Sequence, residues 1–403
     1  MKILVLHNRY RQSGGEDVAA SQEVALLRNQ GHDVHLLEED NDGIVDPIEQ
    51  IKTAVRCVYS RRTYRLVQQT IRNFRPDLVH VHNFFPRFSP AVHYACHDLG
   101  VPLVQSLHNF RLACPGGTFF RGREVCNECL GLAVAWPAIR HGCYRESRLA
   151  STAVVNMLAI HRALGTWRRM VDVFVALTEF AREKFATAGL PASKIVVKPN
   201  FVADDAGVGS GSGGYALFVG RLSPEKGIET LLRAWPRLAV KKQLKIIGYG
   251  PMAPMVQEAA KQNPEIKWLR ARNHADVLQQ MREATVLILP SSCYEGFPVV
   301  AAEAFSTGLP IVASDLGSLS EIVSHGETGR LFPAGAPSAL AEQMEWIYSH
   351  PGHLAAMRKR ARQEYESKYA PAHNYQMLMQ IYRRAMCGAP GAAAKCRNCE
   401  DIR

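Results

Sequence analysis

Two glutamates in the second half of the chain have the side chains and the setting needed to hold a polar ligand. Glu295 and Glu303 stand eight positions apart, with Gly296, Phe297 and Pro298 following the first of them. Carboxylates accept hydrogen bonds from hydroxyl groups, and a helix that begins here offers backbone N–H groups and a positive dipole end. The spacing of the two glutamates alone is more typical of solvated surface residues, so the surrounding elements have to decide.

A short strand–loop–helix–strand pattern surrounds the two glutamates. An apolar run at 286–290 predicts a buried strand, residues 299–307 predict a helix that ends at Gly308, and residues 309–313 predict a second strand. Pro298 stands where a first helical residue belongs. This βαβ unit places Glu295 and the helix start at the carboxyl edge of a parallel sheet, where ligands bind in folds of this class.

The same alternation of apolar strands and helices continues through both halves of the chain. We predict an α/β fold with two doubly wound, Rossmann-like domains. The glycine- and serine-rich residues 204–214 predict a linker between them. The predicted boundaries are a first domain at 1–203, an insertion at about 110–148, a second domain at 215–370, a helix at 371–387 that returns to the first domain, and a tail at 388–403.

The composition is that of an ordinary water-soluble enzyme. The 403 residues are 47% hydrophobic and 21% charged, and the apolar run at the N-terminus is too short for a signal peptide. We therefore expect a cytoplasmic protein. The net charge of +11 is spread along the chain without interleaved aromatic residues, which argues against nucleic acid. Arg61, Arg62, Arg65 and Arg72 lie on one predicted helix, which fits either a solvated face or contact with an anionic membrane.

Glycines and histidines follow predicted strands of the first half. Gly14 and Gly15 precede a predicted helix, where glycine allows close backbone approach to an anion, although a plain tight turn explains them equally well. His80, His82 and His108 stand at the carboxyl ends of two predicted strands. An imidazole there can serve a ligand as a hydrogen-bond partner or base, or it can be structural.

Four cysteines fall within the predicted insertion. Cys114, Cys126, Cys129 and Cys143 have the spacing C-x11-C-x2-C-x13-C, which is typical of a structural zinc site that holds a loop lacking its own core. An iron–sulfur cluster and unligated thiols are the alternatives, and a cytoplasmic setting disfavours disulfides. The remaining cysteines are interpreted as structural or, for the C-x2-C pair of the tail, as part of a disordered segment: Cys57, Cys96, Cys293, Cys387, Cys396 and Cys399.

Several of these segments together resemble one enzyme family. G-R-L-S-P-E-K-G at 220–227, E-G-F-P-V-V-A-A-E at 295–303 and S-E-I-V-x-H-G-E-T-G at 320–329 resemble the motifs of the retaining family-4 glycosyltransferases of the GT-B fold, as do G-G-E-D at 14–17 and S-L-H-N at 106–109. The resemblance covers residues 1–385. The cysteine insertion is similar to that of a bacterial subgroup.

The resemblance implies a role for each matching residue. Arg221 and Lys226 would clamp the donor diphosphate, Glu303 would bind the ribose hydroxyls, and Glu295 would face the donor sugar. His108 would contact the sugar near the reacting centre. Further donor contacts would come from Gly14, Gly15, Arg270, Ala271, Gly296, Phe297 and Val299.

The implied reaction is transfer of a sugar from a UDP-, GDP- or ADP-linked donor to a saccharide or lipid-linked acceptor, with retention of configuration. The leaving phosphate would act as the base, no metal would be needed for the chemistry, and any zinc would be structural. Exopolysaccharide, lipopolysaccharide or other envelope glycan synthesis is the implied setting. The alternatives are a nucleotide-sugar epimerase of the same shape and a non-catalytic nucleotide- or zinc-binding protein. The chain departs from the family pattern at 269–271, where many relatives have a glycine in the base-recognition segment.

Overall fold

The computed structural model describes residues 1–10, 14–41 and 46–388, which form two compact units. Of the described residues, the first unit contains those within 1–118, 127–199 and 374–388, and the second contains residues 119–126 and 200–373. Each unit contains its own six-stranded parallel sheet. The prediction of an α/β fold with two Rossmann-like domains is therefore confirmed. The C-x2-C pair Cys396 and Cys399 lies outside the described residues.

The sheet of the first unit has the strand order β2-β1-β3-β4-β7-β8. The strands up to residue 199 are β1 Lys2–Arg9, β2 Asp33–Asp40, β3 Leu78–Asn83, β4 Leu103–Ser106, β5 Phe120–Arg121, β6 Glu124–Val125, β7 Val173–Ala176 and β8 Ile195–Val197. Strands β3, β4 and β7 are buried at every position. Continuous burial is expected of parallel strands that are covered on both faces, and it explains the unbroken apolar sequence of β7. Strands β3 and β4 begin apolar and carry buried polar residues towards their carboxyl ends.

Helices connect these strands in the usual βαβ manner. They are α1 Gly15–Asn29, α2 Pro47–Arg56, α3 Arg61–Phe74, α4 Ala91–Asp98, α5 Trp136–His141, α6 Arg148–Ala163, α7 Thr166–Arg169 and α8 Glu179–Thr187. Helix α3 begins after Ser60, whose hydroxyl caps the Thr63 amide, and it buries Val67 and Ile71. The four arginines predicted to lie on this helix are exposed: Arg61, Arg62, Arg65 and Arg72.

The sheet of the second unit has the order β11-β10-β9-β12-β13-β14. Its strands are β9 Tyr215–Val219, β10 Gln243–Ile247, β11 Ile266–Arg270, β12 Val286–Leu289, β13 Ile311–Ser314 and β14 Gly329–Phe332. Its helices are α9 Ile228–Ala234, α10 Ala253–Gln262, α11 His274–Glu283, α12 Val299–Ser306, α13 Ser318–Ile322, α14 Pro337–Ser349 and α15 Pro351–Glu364. From β9 the chain adds β10 and β11 on one side of the sheet and then β12, β13 and β14 on the other. The strand order therefore reverses between β9 and β12, and the carboxyl ends of these two strands flank the switch point.

The last helix, α16 Pro371–Gly388, packs on the first unit from residue 374 onward. Its Leu378, Ile381 and Tyr382 are buried in the same apolar cluster as Ile3 and Val5 of β1. In the part of the chain that the structure describes, no helix is both long and apolar enough to cross a membrane.

The antiparallel hairpin of β5 and β6 belongs to the second unit, although it lies within the cysteine insertion. The Phe119 ring meets the Tyr294 ring edge-on, with their centroids 5.7 Å apart. At the hairpin turn, the Arg123 guanidinium lies 3.0 Å from the Glu229 carboxylate. One aromatic contact and one ion pair thus fix the hairpin beside the loop that carries Glu295.

Candidate functional site

Lys226 and Glu295 form an ion pair at the carboxyl edge of the second unit's sheet. The Lys226 ammonium lies 2.7 and 2.9 Å from the two carboxylate oxygens of Glu295. The Ser291 hydroxyl donates a hydrogen bond of 2.6 Å to the same carboxylate. The structure therefore brings together two residues whose predicted roles concern the same ligand.

Burial opposes the charge on each member of this pair, and the pairing outweighs it. The Lys226 ammonium, with help from Ser291 and Arg221, holds the pKa of the Glu295 carboxyl below its ordinary value. Glu295 in turn raises the pKa of Lys226. Both side chains are therefore charged at neutral pH, and Arg221 adds an exposed second cation within electrostatic reach of the carboxylate.

Backbone contacts join the two motifs that carry this pair. Lys226 ends a 3₁₀ turn, Pro224–Lys226, and the Ser292 amide donates to the Glu225 carbonyl at 2.8 Å. Gly227 has a φ of +70°, and a Cβ atom at this position would lie 1.7 Å from the Pro290 carbonyl oxygen. Only glycine tolerates both the positive φ and the close approach of the Pro290 carbonyl. Backbone conformation and packing therefore explain the glycine that ends G-R-L-S-P-E-K-G.

Glu303 is the fifth of the eight residues of α12 and is 8% exposed. Its carboxylate is 3.0 Å from Nε2 of His274, the first residue of α11. The hydrogen bond to Glu303 raises the pKa of the His274 imidazole above its ordinary value. Sequence reasoning missed His274. The available signal was its place directly after Asn273, whose side chain caps α11 where the chain leaves strand β11.

Arg270 occupies a strained backbone conformation at the end of β11. Its φ is +60°, in the left-handed region that favours glycine, and its carbonyl accepts a hydrogen bond from the Gly248 amide at 2.9 Å. The guanidinium stacks over the Trp268 ring at 4.9 Å. The departure from the family pattern at 269–271 thus retains the glycine-like backbone, while the side chain finds a partner. Ala271 follows as an exposed residue.

Gly14 and Gly15 lie at the start of α1 in the first unit, as predicted for a glycine turn before a helix. The Gly14 amide donates to the Asp17 carboxylate at 2.9 Å, and the same carboxylate is 2.8 Å from Nε2 of His7. Gly14 has an extended φ of −133°, so the backbone does not demand glycine there. The proposed diphosphate contact stays a prediction, and the amide of Gly14 already has a partner within the protein.

His108 of the first unit follows strand β4 and lies beside His82, with the two rings nearly parallel. The ring centroids are 5.2 Å apart, and Nε2 of His108 lies 2.9 Å from Nδ1 of His82. The other ring nitrogen, Nδ1 of His108, is buried and has no hydrogen-bond partner among the residues that the structure describes. A buried polar atom of this kind is most often completed by a ligand or water.

Three of the four insertion cysteines belong to the first unit. A Cβ atom on Gly116 would lie 3.8 Å from Sγ of Cys114 and 3.7 Å from Cβ of Cys143, so these two side chains border the same glycine. Cys129 and Cys143 both pack on a small apolar cluster that contains Ala138. Cys126 ends the hairpin, where its amide donates to the Phe119 carbonyl at 2.7 Å. Metal binding by the four thiols stays a prediction.

Comparison with known proteins assigns both halves of the chain. The family model "Glycosyl transferase 4-like domain" matches residues 14–200, and the model "Glycosyl transferases group 1" matches residues 213–350. With both of its domains matched in this way, the chain belongs to the glycosyltransferases of the GT-B fold. The expected resemblance is confirmed at this level.

Individual relatives share parts of the chain. A glycogen synthase of Mycobacterium tuberculosis is 31% identical over 73% of this chain and 64% of its own length. A phosphatidyl-myo-inositol mannosyltransferase of Mycobacterium leprae is 28% identical over 48% of this chain and 54% of its own length. The chain thus spans about half to two thirds of these curated relatives. Among solved structures, Anabaena HepE in complex with UDP superposes with a TM-score of 0.69 at 17% identity, covering 94% of this chain and 99% of that protein, which shows a shared fold.

Proposed function

We propose that this protein transfers a hexose from a nucleotide-sugar donor to a saccharide or lipid-linked acceptor, with retention of the sugar's configuration. The observation that carries the proposal is the charged pair of Lys226 and Glu295 beside the start of α12, with Arg221 in reach. In the proposed complex the donor diphosphate competes with Glu295 for the ammonium group. Lys226 and Arg221 then stabilise the charge that builds up on the departing nucleotide.

The proposed roles of the remaining residues are those that the resemblance to the family implies. The buried Glu303 carboxylate, which is hydrogen-bonded to His274, accepts hydrogen bonds from the ribose hydroxyls of the nucleotide. The leaving phosphate takes the proton of the acceptor hydroxyl, so no protein carboxylate acts as a nucleophile. Cation clamping by Arg221 and Lys226 supplies the electrostatic role that a metal ion has in other transferases.

The relatives support the choice of substrates without deciding it. HepE has been solved with UDP and with UDP-glucose, which supports a uridine diphosphate donor. The Mycobacterium leprae relative is a mannosyltransferase acting on phosphatidyl-myo-inositol by its name, which supports a lipid-linked acceptor. Envelope glycan synthesis with peripheral contact to an anionic membrane through the exposed arginines of α3 is the setting we propose. An epimerase would act on the donor alone.

A nucleotide-binding panel tests the proposed donor site. Thermal shift with UDP-, GDP-, ADP- and dTDP-sugars is expected to show stabilisation by one nucleotide class. Glu303→Ala should weaken that nucleotide's binding about tenfold or more, because the variant loses a charge-assisted acceptor. Glu258→Ala, which removes an exposed carboxylate of α10 in the same unit, is the matched control.

Donor hydrolysis and sugar transfer, measured beside the thermal shifts, distinguish a transferase from an epimerase and from a non-catalytic binding protein. Stabilisation with conversion of the donor supports a transferase, and recovery of an epimerised donor supports the alternative enzyme. If no nucleotide stabilises the wild-type protein, the proposed donor site is wrong and non-catalytic binding has to be preferred.

The four insertion cysteines are proposed to hold a structural Zn²⁺, which their soft thiolate ligands would suit. The protein as purified is expected to contain about one zinc per chain by elemental analysis. Cys126→Ser with Cys129→Ser should release the metal and increase proteolysis of residues 110–148, while nucleotide affinity stays within twofold of wild type. Cys96→Ser, a buried cysteine outside the set, is the control. Metal-free wild-type protein would contradict the proposal.

A further inference from the structure

A buried network of charged and polar groups lies beneath His108 in the first unit. It consists of Glu23 from α1, His80 and His82 from β3, and Lys198 after β8, which are 0–4% exposed. We refer to these four residues and His108 as the histidine network. Neither the resemblance to the family nor the proposed donor site accounts for the other four members, although burying them costs free energy unless every charge is paired.

Glu23 is the ionised centre of the histidine network. Lys198 Nζ lies 2.9 Å from Oε2 of Glu23, while Nδ1 of His80 and Nε2 of His82 lie 3.0 and 3.3 Å from Oε1. Burial disfavours the charge, but Lys198, His80 and His82 hold the pKa of the Glu23 carboxyl well below its ordinary value. The two imidazoles therefore face a carboxylate and not a carboxylic acid.

The network has the ligand spacing of a metal site but not its charge. The ligand atoms of Glu23, His80 and His82 lie within 4.8 Å of one another. The Lys198 ammonium, however, already supplies a positive charge to this carboxylate, and it also donates to Asn374 at 3.1 Å. A dication beside a buried ammonium would be repelled, so we interpret the group as a network of ion-pair and hydrogen-bond contacts within the protein.

The carboxylate determines which nitrogen of His82 bears the proton. A lone pair on Nε2 would face the charge of Glu23 at 3.3 Å and be repelled, so Nε2 carries the hydrogen and Nδ1 is an acceptor. Burial lowers the pKa of His82 to about 4 and holds that of His108 well below its usual range. Each ring thus carries one proton at neutral pH, and Nε2 of His108 has to donate to Nδ1 of His82 across 2.9 Å.

The same reasoning gives the chemistry of the remaining nitrogen. With the hydrogen of His108 on Nε2, its Nδ1 presents a lone pair. This atom is buried and has no partner in the described part of the chain. The other imidazole nearby, His7, meets His82 edge-on at 6.3 Å and is held by Asp17 at 2.8 Å, so it does not supply a proton to His108.

We propose that Glu23 and His82 are positioning residues that fix the tautomer of His108, so that its Nδ1 accepts a hydrogen bond from a hydroxyl group of the sugar substrate. The ligand's identity rests on the proposed function, whereas the tautomer does not. Glu23 and His82 act through His108 and do not touch the substrate. The arrangement selects for a ligand that donates at this point and against one that presents only an acceptor, such as a carboxylate.

Nitrogen NMR of the full-length protein labelled with ¹⁵N-histidine tests the tautomer directly. The His108 ring, assigned by the loss of its signals in His108→Asn, is expected as the Nε2–H form. His93, a buried histidine whose nitrogens contact Gln105 and the Pro90 carbonyl, serves as an internal reference. A His108 ring in the Nδ1–H form in the wild-type protein overturns the proposal, whether or not any variant folds.

Two variants test whether the relay matters for turnover. His82→Phe keeps an aromatic ring at this position but removes both nitrogens, and Glu23→Gln removes the charge that orients His82. Each is expected to yield a mixture of His108 tautomers and to lower kcat about tenfold or more, with nucleotide affinity within twofold of wild type. Unchanged tautomer and unchanged kcat in a folded His82→Phe protein would contradict the proposal. Absence of turnover in the wild type would instead count against the proposed function.

Discussion

Replacing Lys226 with alanine is expected to lower kcat/KM for sugar transfer about 30- to 1,000-fold, which corresponds to a loss of about 2–4 kcal/mol of transition-state stabilisation. The ammonium group is held 2.7 Å from Glu295, so it is preorganised where the donor diphosphate is proposed to lie. Charge on the leaving phosphate grows during bond cleavage. The loss should therefore appear mainly in kcat. Initial rates measured over a range of donor concentrations check this.

The variant also leaves the Glu295 carboxylate without its cation, and this second effect needs its own control. Lys226→Ala combined with Glu295→Gln removes the unpaired charge and should restore thermal stability without restoring the rate. Lys261→Ala removes an exposed lysine that pairs with Glu258 in the same unit, and it should leave the rate unchanged. A rate for Lys226→Ala within twofold of wild type would refute the proposed role.

Replacing Lys198 with methionine is expected to destabilise the protein by about 3–5 kcal/mol, because it leaves the Glu23 carboxylate buried without its cation. The side chains of Lys198 and Glu23 are 2% and 5% exposed, so water cannot take over the lost partner. Urea unfolding at pH 7 measures the loss. Lys52→Met, which breaks an ion pair with Glu49 at the surface, should cost less than about 1 kcal/mol.

The pH dependence of stability gives this prediction a sign. The folded-state pKa of Glu23 is depressed below its unfolded value of about 4.3, so its pairing stabilises the wild type above that pH and is lost as the pH falls through the folded-state pKa. Without Lys198 the buried carboxyl is easier to protonate. The difference between variant and wild type should therefore shrink on acidification towards pH 4. A constant difference from pH 7 to pH 4 would contradict the assignment.

The sheet pattern was predictable because parallel strands have a strong sequence signature. The strand predicted at 286–290 is observed at Val286–Leu289, and the strand predicted at 309–313 is observed at Ile311–Ser314. The helix between them begins at Val299, as predicted, and ends at Ser306, one residue before the predicted end. Pro298, which stands where a first helical residue belongs, is instead the capping residue, because its ψ of 111° is extended. Its φ of −72° suits either position. The short range of such signals explains this success: burial, helix ends and glycine turns depend on neighbouring residues.

Contacts between distant segments were not predictable in the same way. The pairing of Lys226 with Glu295 joins residues 69 positions apart, and that of Glu303 with His274 joins residues 29 positions apart. The resemblance to known motifs named three of these residues. For His274 the sequence offered only its place after the capping residue Asn273, which predicts a helix start and not a contact with Glu303. The histidine network is a similar case, because Lys198 and Glu23 are 175 positions apart.

The hairpin of residues 119–126 makes the second unit discontinuous along the chain, and this affects any attempt to exchange modules between relatives. A chimera that joins residues before 204–214 of this chain to the following residues of a relative would keep the hairpin of this chain. Phe119 would then face the relative's residue in place of Tyr294, and Arg123 would face the relative's residue in place of Glu229. The second unit is therefore transplantable only as two segments. Their compatibility is decided at Phe119 and Arg123, more than 75 residues before the linker.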